Sequence, residues 1–152
     1  MSARVLAAVW VPGVPRTQGS MEHIGGGKMR HSDALVAWRS LVKSEIARDM
    51  RLRNDVDPGS YRGPVAVRCV FVRGDGLGDI DKLARCVLDA LEASRVIADD
   101  VQVVKLICDR VTTVKGRGDG AFVLVATVVD EPQDSPLVAG AYGAEIEGWV
   151  GR

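Results

Sequence analysis

The sequence is poor in everything that would staple or anchor it. Cysteine occurs only at Cys69, Cys86 and Cys108, with no C-x-x-C spacing. So sparse and odd a set excludes a disulfide framework and a structural zinc site, and leaves each cysteine as a small core residue. Long apolar stretches are missing too: the longest, Ala121 to Val129, covers nine residues, where about 20 are needed to cross a bilayer. A transmembrane helix is excluded. No long apolar segment separates Met1 from Pro12, which argues against a secretory leader, so a cytoplasmic protein is expected.

Net charge is the last thing missing, with 20 basic and 20 acidic residues. The balance hides an uneven spread. Residues 1–117 carry 19 Lys and Arg against 14 Asp and Glu, a surplus of +5, while residues 118–152 carry one Arg against six acids, −5. Neutrality that is a sum of opposites does not exclude DNA as a partner. What is present is globular: 152 residues, 47% hydrophobic and 26% charged, one domain's worth of chain. A chain of this size buries roughly 68–70% of its unfolded surface and needs no cross-links to hold a core.

Arg4 to Val11 is a β-branched, apolar run ending at Pro12 and reads as a strand. Pro12 to His31 is rich in Gly and Pro and reads as irregular. Ser32 is a candidate N-cap for a helix with Leu35, Trp38, Leu41, Val42 and Ile46 at helical spacing. Val65 to Val72 is a second strand, and a second helix runs from Ile80 to Ser94. Gln102 to Thr112 is a third strand, Lys115 to Gly120 a hairpin connection, and Ala121 to Val129 a fourth strand. The expected fold is therefore α/β (α+β): a small mixed sheet of about four strands with two helices on one face, in the order strand, helix, strand, helix, strand, strand. From Asp130 the composition turns to Glu, Asp, Gln, Pro and Gly, so residues 1–130 read as the domain and 131–152 as an acidic C-terminal tail.

The densest acidic window holds Asp79, Asp81, Asp89, Asp99 and Asp100. Asp79 and Asp81 flank the start of the second helix, and Asp99 and Asp100 lie just past its end. If these ends meet, two or three carboxylates converge, repel one another, and suit a hard divalent cation such as Mg²⁺. Such an ion can polarise a phosphoryl oxygen and lower the pKa of a water, the chemistry of phosphodiester hydrolysis. Plainer readings stand beside this one. Asp79 serves equally as an N-cap with Asp81 favoured by the helix dipole, Asp81 and Arg85 as an i, i+4 ion pair, and Asp99-Asp100 as a turn. Gly25-Gly26-Gly27-Lys28 is not followed by Ser or Thr, which rules out a phosphate loop. The two Arg-Gly-Asp tripeptides, at 73–75 and 117–119, read as turns, and His23 and His31 lack ligand spacing.

The same window resembles the RusA family of Holliday junction resolvases, whose pattern is D-x-D-N-L-x-K, then D-A-L, then D-D-x-Q-V. Here it reads Asp79-Ile80-Asp81-Lys82-Leu83-Ala84-Arg85, then Asp89-Ala90-Leu91, then Asp99-Asp100-Val101-Gln102-Val103. The stretch VPGVPRTQGS is similar to the loop after that family's first strand. The resemblance implies a homodimeric, Mg²⁺-dependent endonuclease, with Mn²⁺ as a substitute, that recognises four-way DNA junctions and makes paired cuts. Carried over by position, Asp79, Asp81 and Asp100 are the metal-binding, catalytic carboxylates, and Arg85 sits where the family has a catalytic Lys. Arg85 keeps its proton and serves phosphate charge, not base chemistry; Lys82 replaces the family's Asn. Arg16, Lys28, Arg30, Arg73, Lys82, Lys105, Arg110, Lys115 and Arg117 are candidate DNA contacts. Small resolvases of this kind are often encoded by phages and prophages, which implies a bacterial host's cytoplasm. Competing readings are a catalytically silent junction-binding protein of the same fold and a metal-dependent enzyme acting on free nucleotides.

Overall fold

A computed structural model gives the fold and describes residues 3–19, 21–23, 29–53, 59 and 61–128. The tail expected over 131–152 lies outside the described residues. In chain order the elements are β1 (Val5–Pro12), β2 (Met21–His23), β3 (Met29–His31), α1 (Asp33–Leu52), β4 (Val65–Val72), α2 (Ile80–Ala93), β5 (Val103–Val111) and β6 (Gly120–Thr127), with one 3₁₀ turn at Asp100–Gln102. The mixed α+β architecture follows the expected order. The addition is β2 and β3, which pair antiparallel inside the stretch that reads as irregular. Three-residue strands are too short to leave a period in the sequence.

The main sheet has the order β1-β6-β4-β5, with β4 and β5 parallel and β6 antiparallel to both of its neighbours. The expected hairpin between the last two strands is therefore corrected: β5 and β6 lie on opposite sides of β4. The burial patterns explain the arrangement. Every residue of β6 is buried, as befits a central strand, while β5 is exposed or half-exposed along its whole length, as an edge must be. The connection instead closes locally through a bridge between Val114 and Arg117.

Both helices cover one face of the sheet. α1 opens at Ser32, whose Oγ accepts the Leu35 N–H at 3.2 Å, and buries Leu35, Trp38, Val42, Ile46 and Met50. α2 buries Leu83, Ala84, Cys86, Val87, Ala90 and Leu91. These stripes join Leu6, Val11, Val67, Phe71, Val123 and Val125 in one core, and a smaller cluster around Phe122 and Leu124 occupies the other face. Asp49 ties α1 to the free edge of β1: its Oδ2 accepts the Ala8 N–H at 2.9 Å and the Arg53 Nε at 2.7 Å. The parallel β4–α2–β5 unit is what positions the acids. One end of α2 carries Asp79 and Asp81, and the chain leaving the other end carries Asp99 and Asp100.

Candidate active site

The turn from β4 into α2 is clamped on three sides. Arg73, only 9% exposed, donates Nε and Nη2 to the two oxygens of Asp75 at 3.0 and 2.7 Å, and Nη1 to the Pro15 carbonyl at 2.9 Å. That guanidinium, with the Leu77 N–H, holds the Asp75 carboxyl at about 2 instead of the ordinary 3.8. Arg110 reaches back from β5 to the Gly78 carbonyl. Gly78 itself has φ +102, and a Cβ there would stand 3.3 Å from Leu83 and 3.4 Å from Arg73 Nη1, so only glycine fits the last step before Asp79.

Asp79 takes the N-cap position of α2, yet its side chain makes no capping hydrogen bond. Its Oδ2 lies 3.3 Å from Lys82 Nζ instead. Asp81 is exposed in the first turn. At the far end of α2 the loop is built by Gln102, a buried amide that uses both its groups. Oε1 accepts the Ala98 N–H at 2.7 Å, and Nε2 donates to the carbonyls of Tyr61 and Gly63 at 3.1 and 3.0 Å. Asp99 caps the 3₁₀ turn, accepting the Val101 N–H at 2.9 Å, which gives that acid a structural role. Glu92 Oε1 accepts the Asp100 N–H at 2.7 Å and leaves the Asp100 carboxylate exposed.

An open cleft of about 530 Å³ runs along α2. Asp81, Arg85 and Asp89 line it from the helix, Gln18 from the loop after β1, and Asp100 and Leu106 from the β5 side. Three of the four residues assigned to catalysis thus share one space; Asp79 does not line it. Asp81 and Asp100 stand toward its two ends, because Glu92, which holds Asp100, follows Asp81 by eleven residues, about 16 Å of helix axis. Among the described residues, the one group of three acids with oxygens within 4.8 Å of one another is Glu92, Asp99 and Asp100. Asp79, Asp81 and Asp100 do not reach that separation within one chain.

Gln18, Arg39 and Glu92 belong to the site and were not singled out by motif. Gln18 donates its N–H to the Lys82 carbonyl at 3.0 Å and its Nε2 to Asp89 Oδ2, while its Oε1 accepts from Arg39 Nη1 at 3.1 Å. The loop after β1 is thereby sewn to both helices. The Gln-Gly step at 18–19 is the one sequence signal that points to it.

The expected DNA-contacting cations divide by what already holds them. Arg73 is taken up by Asp75 and Pro15, Arg110 by Gly78, and Lys82 by Asp79. Arg117 lies over the rings of Trp10 and Phe122, 4.9 and 5.1 Å from their centroids. Arg73 spends three of its five donors on the fold, so it is a tether of the turn. Arg16 and Lys105 are half-buried, Lys115 is exposed, Arg30 falls in β3, and Lys28 lies outside the described residues.

The family profile described as Endodeoxyribonuclease RusA matches residues 11–119. The chain belongs to the RusA endodeoxyribonuclease family. As a RusA-family member it is a nuclease, a hydrolase acting on the DNA backbone. The match takes in every residue that lines the cleft, from Gln18 to Leu106. No curated protein matches the chain. Among the described residues of this RusA-family chain no helix is long and apolar enough to cross a membrane.

Proposed function

We propose that this chain is a Mg²⁺-dependent, homodimeric endonuclease that resolves four-way DNA junctions by paired phosphodiester hydrolysis in the cytoplasm of a bacterial host. The observation that carries the reading is the single cleft presenting Asp81, Arg85 and Asp100 together. The donor set fits a hard divalent cation: Asp81 and Asp100 are exposed carboxylates, and among the described residues neither side chain is engaged by a hydrogen bond or a cation. All-oxygen ligation of this kind suits Mg²⁺ or Mn²⁺ more than a thiophilic metal. Asp79, Asp81 and Asp100, too far apart within one chain to share an ion, would hold it once a second subunit brings the two ends of α2 together, and the ion would supply polarisation of the phosphate and activation of a hydrolytic water.

The chain's own residues do the rest. Arg85, permanently charged, neutralises and orients the phosphate but does not take a proton. The Arg39–Gln18–Asp89 relay fixes the loop that walls the cleft and keeps Asp89 engaged. Arg73 and Gly78 fix the turn from which Asp79 and Asp81 project.

A dimer serves this chemistry twice. Paired cuts on strands of like polarity need two equivalent sites, which a twofold axis supplies. If the partner's α2 runs antiparallel to the first, Asp81 of one copy comes beside the partner subunit's Asp100 and the carboxylate set is completed across the interface.

The test is a synthetic four-way junction with Mg²⁺. Wild type gives paired nicks. Asp81→Asn keeps junction binding and loses cleavage by about 100-fold or more, given that disturbing even outer-shell partners of a metal costs about 10–100-fold. Undiminished cutting by that variant overturns the assignment.

One observation favours a second reading, a catalytically silent junction-binding protein. Lys82 sits 3.3 Å from Asp79, and an ammonium there competes with a cation for the carboxylate. Junction binding without cleavage at any divalent metal selects this reading, and Lys82→Asn raising cleavage would place the chain between the two.

A further inference from the structure

Two thiols face each other across the parallel pair β4 and β5. Cys69 and Cys108 are directly opposed in register and both are free. We propose that Cys69 and Cys108 form a peroxide-sensitive thiol pair that closes to a reversible intramolecular disulfide, a modification site separate from the nuclease chemistry.

The geometry suits the bond. Neighbouring strands lie about 4.8 Å apart, inside the roughly 4.4–6.8 Å between Cα atoms that a disulfide spans. Both side chains point to the same side of the sheet: Cys69 is wholly buried in the main core, and Cys108 packs against that core from the edge strand. Each thiol shifts the other's pKa, as neighbouring groups do, and their register sets both sulfurs on the same side of adjacent strands.

The pair is also asymmetric in the way oxidation requires. Cys108 is half-buried on an edge strand, where a small oxidant reaches it. The hydrogen bond from Cys69 lowers its pKa against the opposing pull of burial and of Asp109. Cys69 is raised by its hydrogen bond with Cys108 and by complete burial, so it stays a thiol until a partner sulfur is activated. The thiolate is the reactive form, which makes Cys108 the attacking sulfur and Cys69 the resolving one. Cys86 is a built-in control, since burial pushes its thiol up to about 12.

With hydrogen peroxide the steps balance. The Cys108 thiolate attacks one peroxide oxygen and breaks the O–O bond, giving a sulfenic acid and, after protonation of the leaving hydroxide, water. The Cys69 sulfur then displaces the hydroxyl from Cys108, forming the S–S bond while its proton leaves with that hydroxyl as a second water. Two thiols lose two electrons in all, and the peroxide gains them. A low-molecular-weight thiol restores the pair by exchange.

The experiment uses the full chain, purified reduced and treated with hydrogen peroxide. Intact-mass spectrometry should show the loss of two hydrogens, regained with dithiothreitol, and peptide mapping should place the bridge between Cys69 and Cys108. Cys86→Ala should leave the bridge unchanged. Cys69→Ala, which lacks the resolving thiol, should trap Cys108 as a dimedone adduct, a readout that does not depend on cleavage activity. A bridge that includes Cys86, a disulfide between two chains, dimedone labelling of Cys108 in the wild type without a bridge, or no reaction under conditions that oxidise free glutathione would each overturn the proposal.

Discussion

Arg73 looks from the sequence like one more cation for DNA, and its neighbours decide otherwise. With Asp75 it forms a two-pronged ion pair, and with Pro15 it binds the loop after β1 to the turn before α2. Asp75 consequently has a folded pKa of about 2, below its ordinary 3.8. A carboxyl lowered by folding stabilises the native state at pH values above its unfolded pKa, and that contribution disappears as the pH falls through the folded value. Asp75→Asn should therefore melt at a lower temperature than wild type at pH 7, and the two melting curves should converge between about pH 4 and pH 2. A gap that persists unchanged into acid would show that the carboxylate's charge is not what Arg73 uses. Cys69, Cys86 and Cys108 make the complementary point. All three read from sequence as core residues, and the buried Cys69 and Cys86 bear that out; that two of them are opposed depends on strand register, which no spacing of positions 69 and 108 reveals.

The element that repays closest attention is the loop between α2 and β5. Its Asp-Asp-x-Gln pattern suggests acids for chemistry, but two of its three polar side chains are structural. Asp99 caps the turn, and the Gln102 amide holds Ala98, Tyr61 and Gly63. Gln102→Met keeps the volume and strands two backbone N–H groups, of Ala98 and Asp99, and two carbonyls, so unfolding in urea should show a loss of several kcal/mol, at the usual cost of roughly 1–3 kcal/mol per buried group left unsatisfied. A neutral result would mean that water replaces the amide. Elements this strongly patterned were legible: α1, α2 and the four long strands all fall where apolar period and turn residues put them. The pairing of those strands was not. Lys115 to Gly120 has the composition of a hairpin, and only the unbroken burial of β6 shows that it belongs between β1 and β4. The candidate site was legible as a list of acids and a flanking arginine. Gln18, which reaches Asp89 from 71 residues away, belongs to the tertiary structure, as does the separation of Asp81 from Asp100 along α2.

At the scale of the whole molecule, the placing of acids at two ends of a helix for one reaction becomes an experiment on mixed dimers. Asp81→Asn and Asp100→Asn subunits are each expected to be inactive. Assembled together with different affinity tags, the mixed dimer should recover nicking of one strand if sites are completed across the interface, since one of its two sites is then wholly wild type. Silence of the mixture would place each site within a single subunit. Junction affinity should fall steeply with salt, and Lys115→Ala should reduce the slope by about one. A different consequence attaches to the strand order. β1, made first, has β6 as its one partner in the sheet, with Val5 opposite Ala126 and Pro12 opposite Gly120. On the ribosome, then, the amino-terminal strand must wait for nearly the entire remaining domain to emerge before it can pair, so the sheet closes only near the end of synthesis. A message cut short before codon 120 yields a polypeptide whose first strand has nowhere to go, a substrate for proteases and not a weakened nuclease.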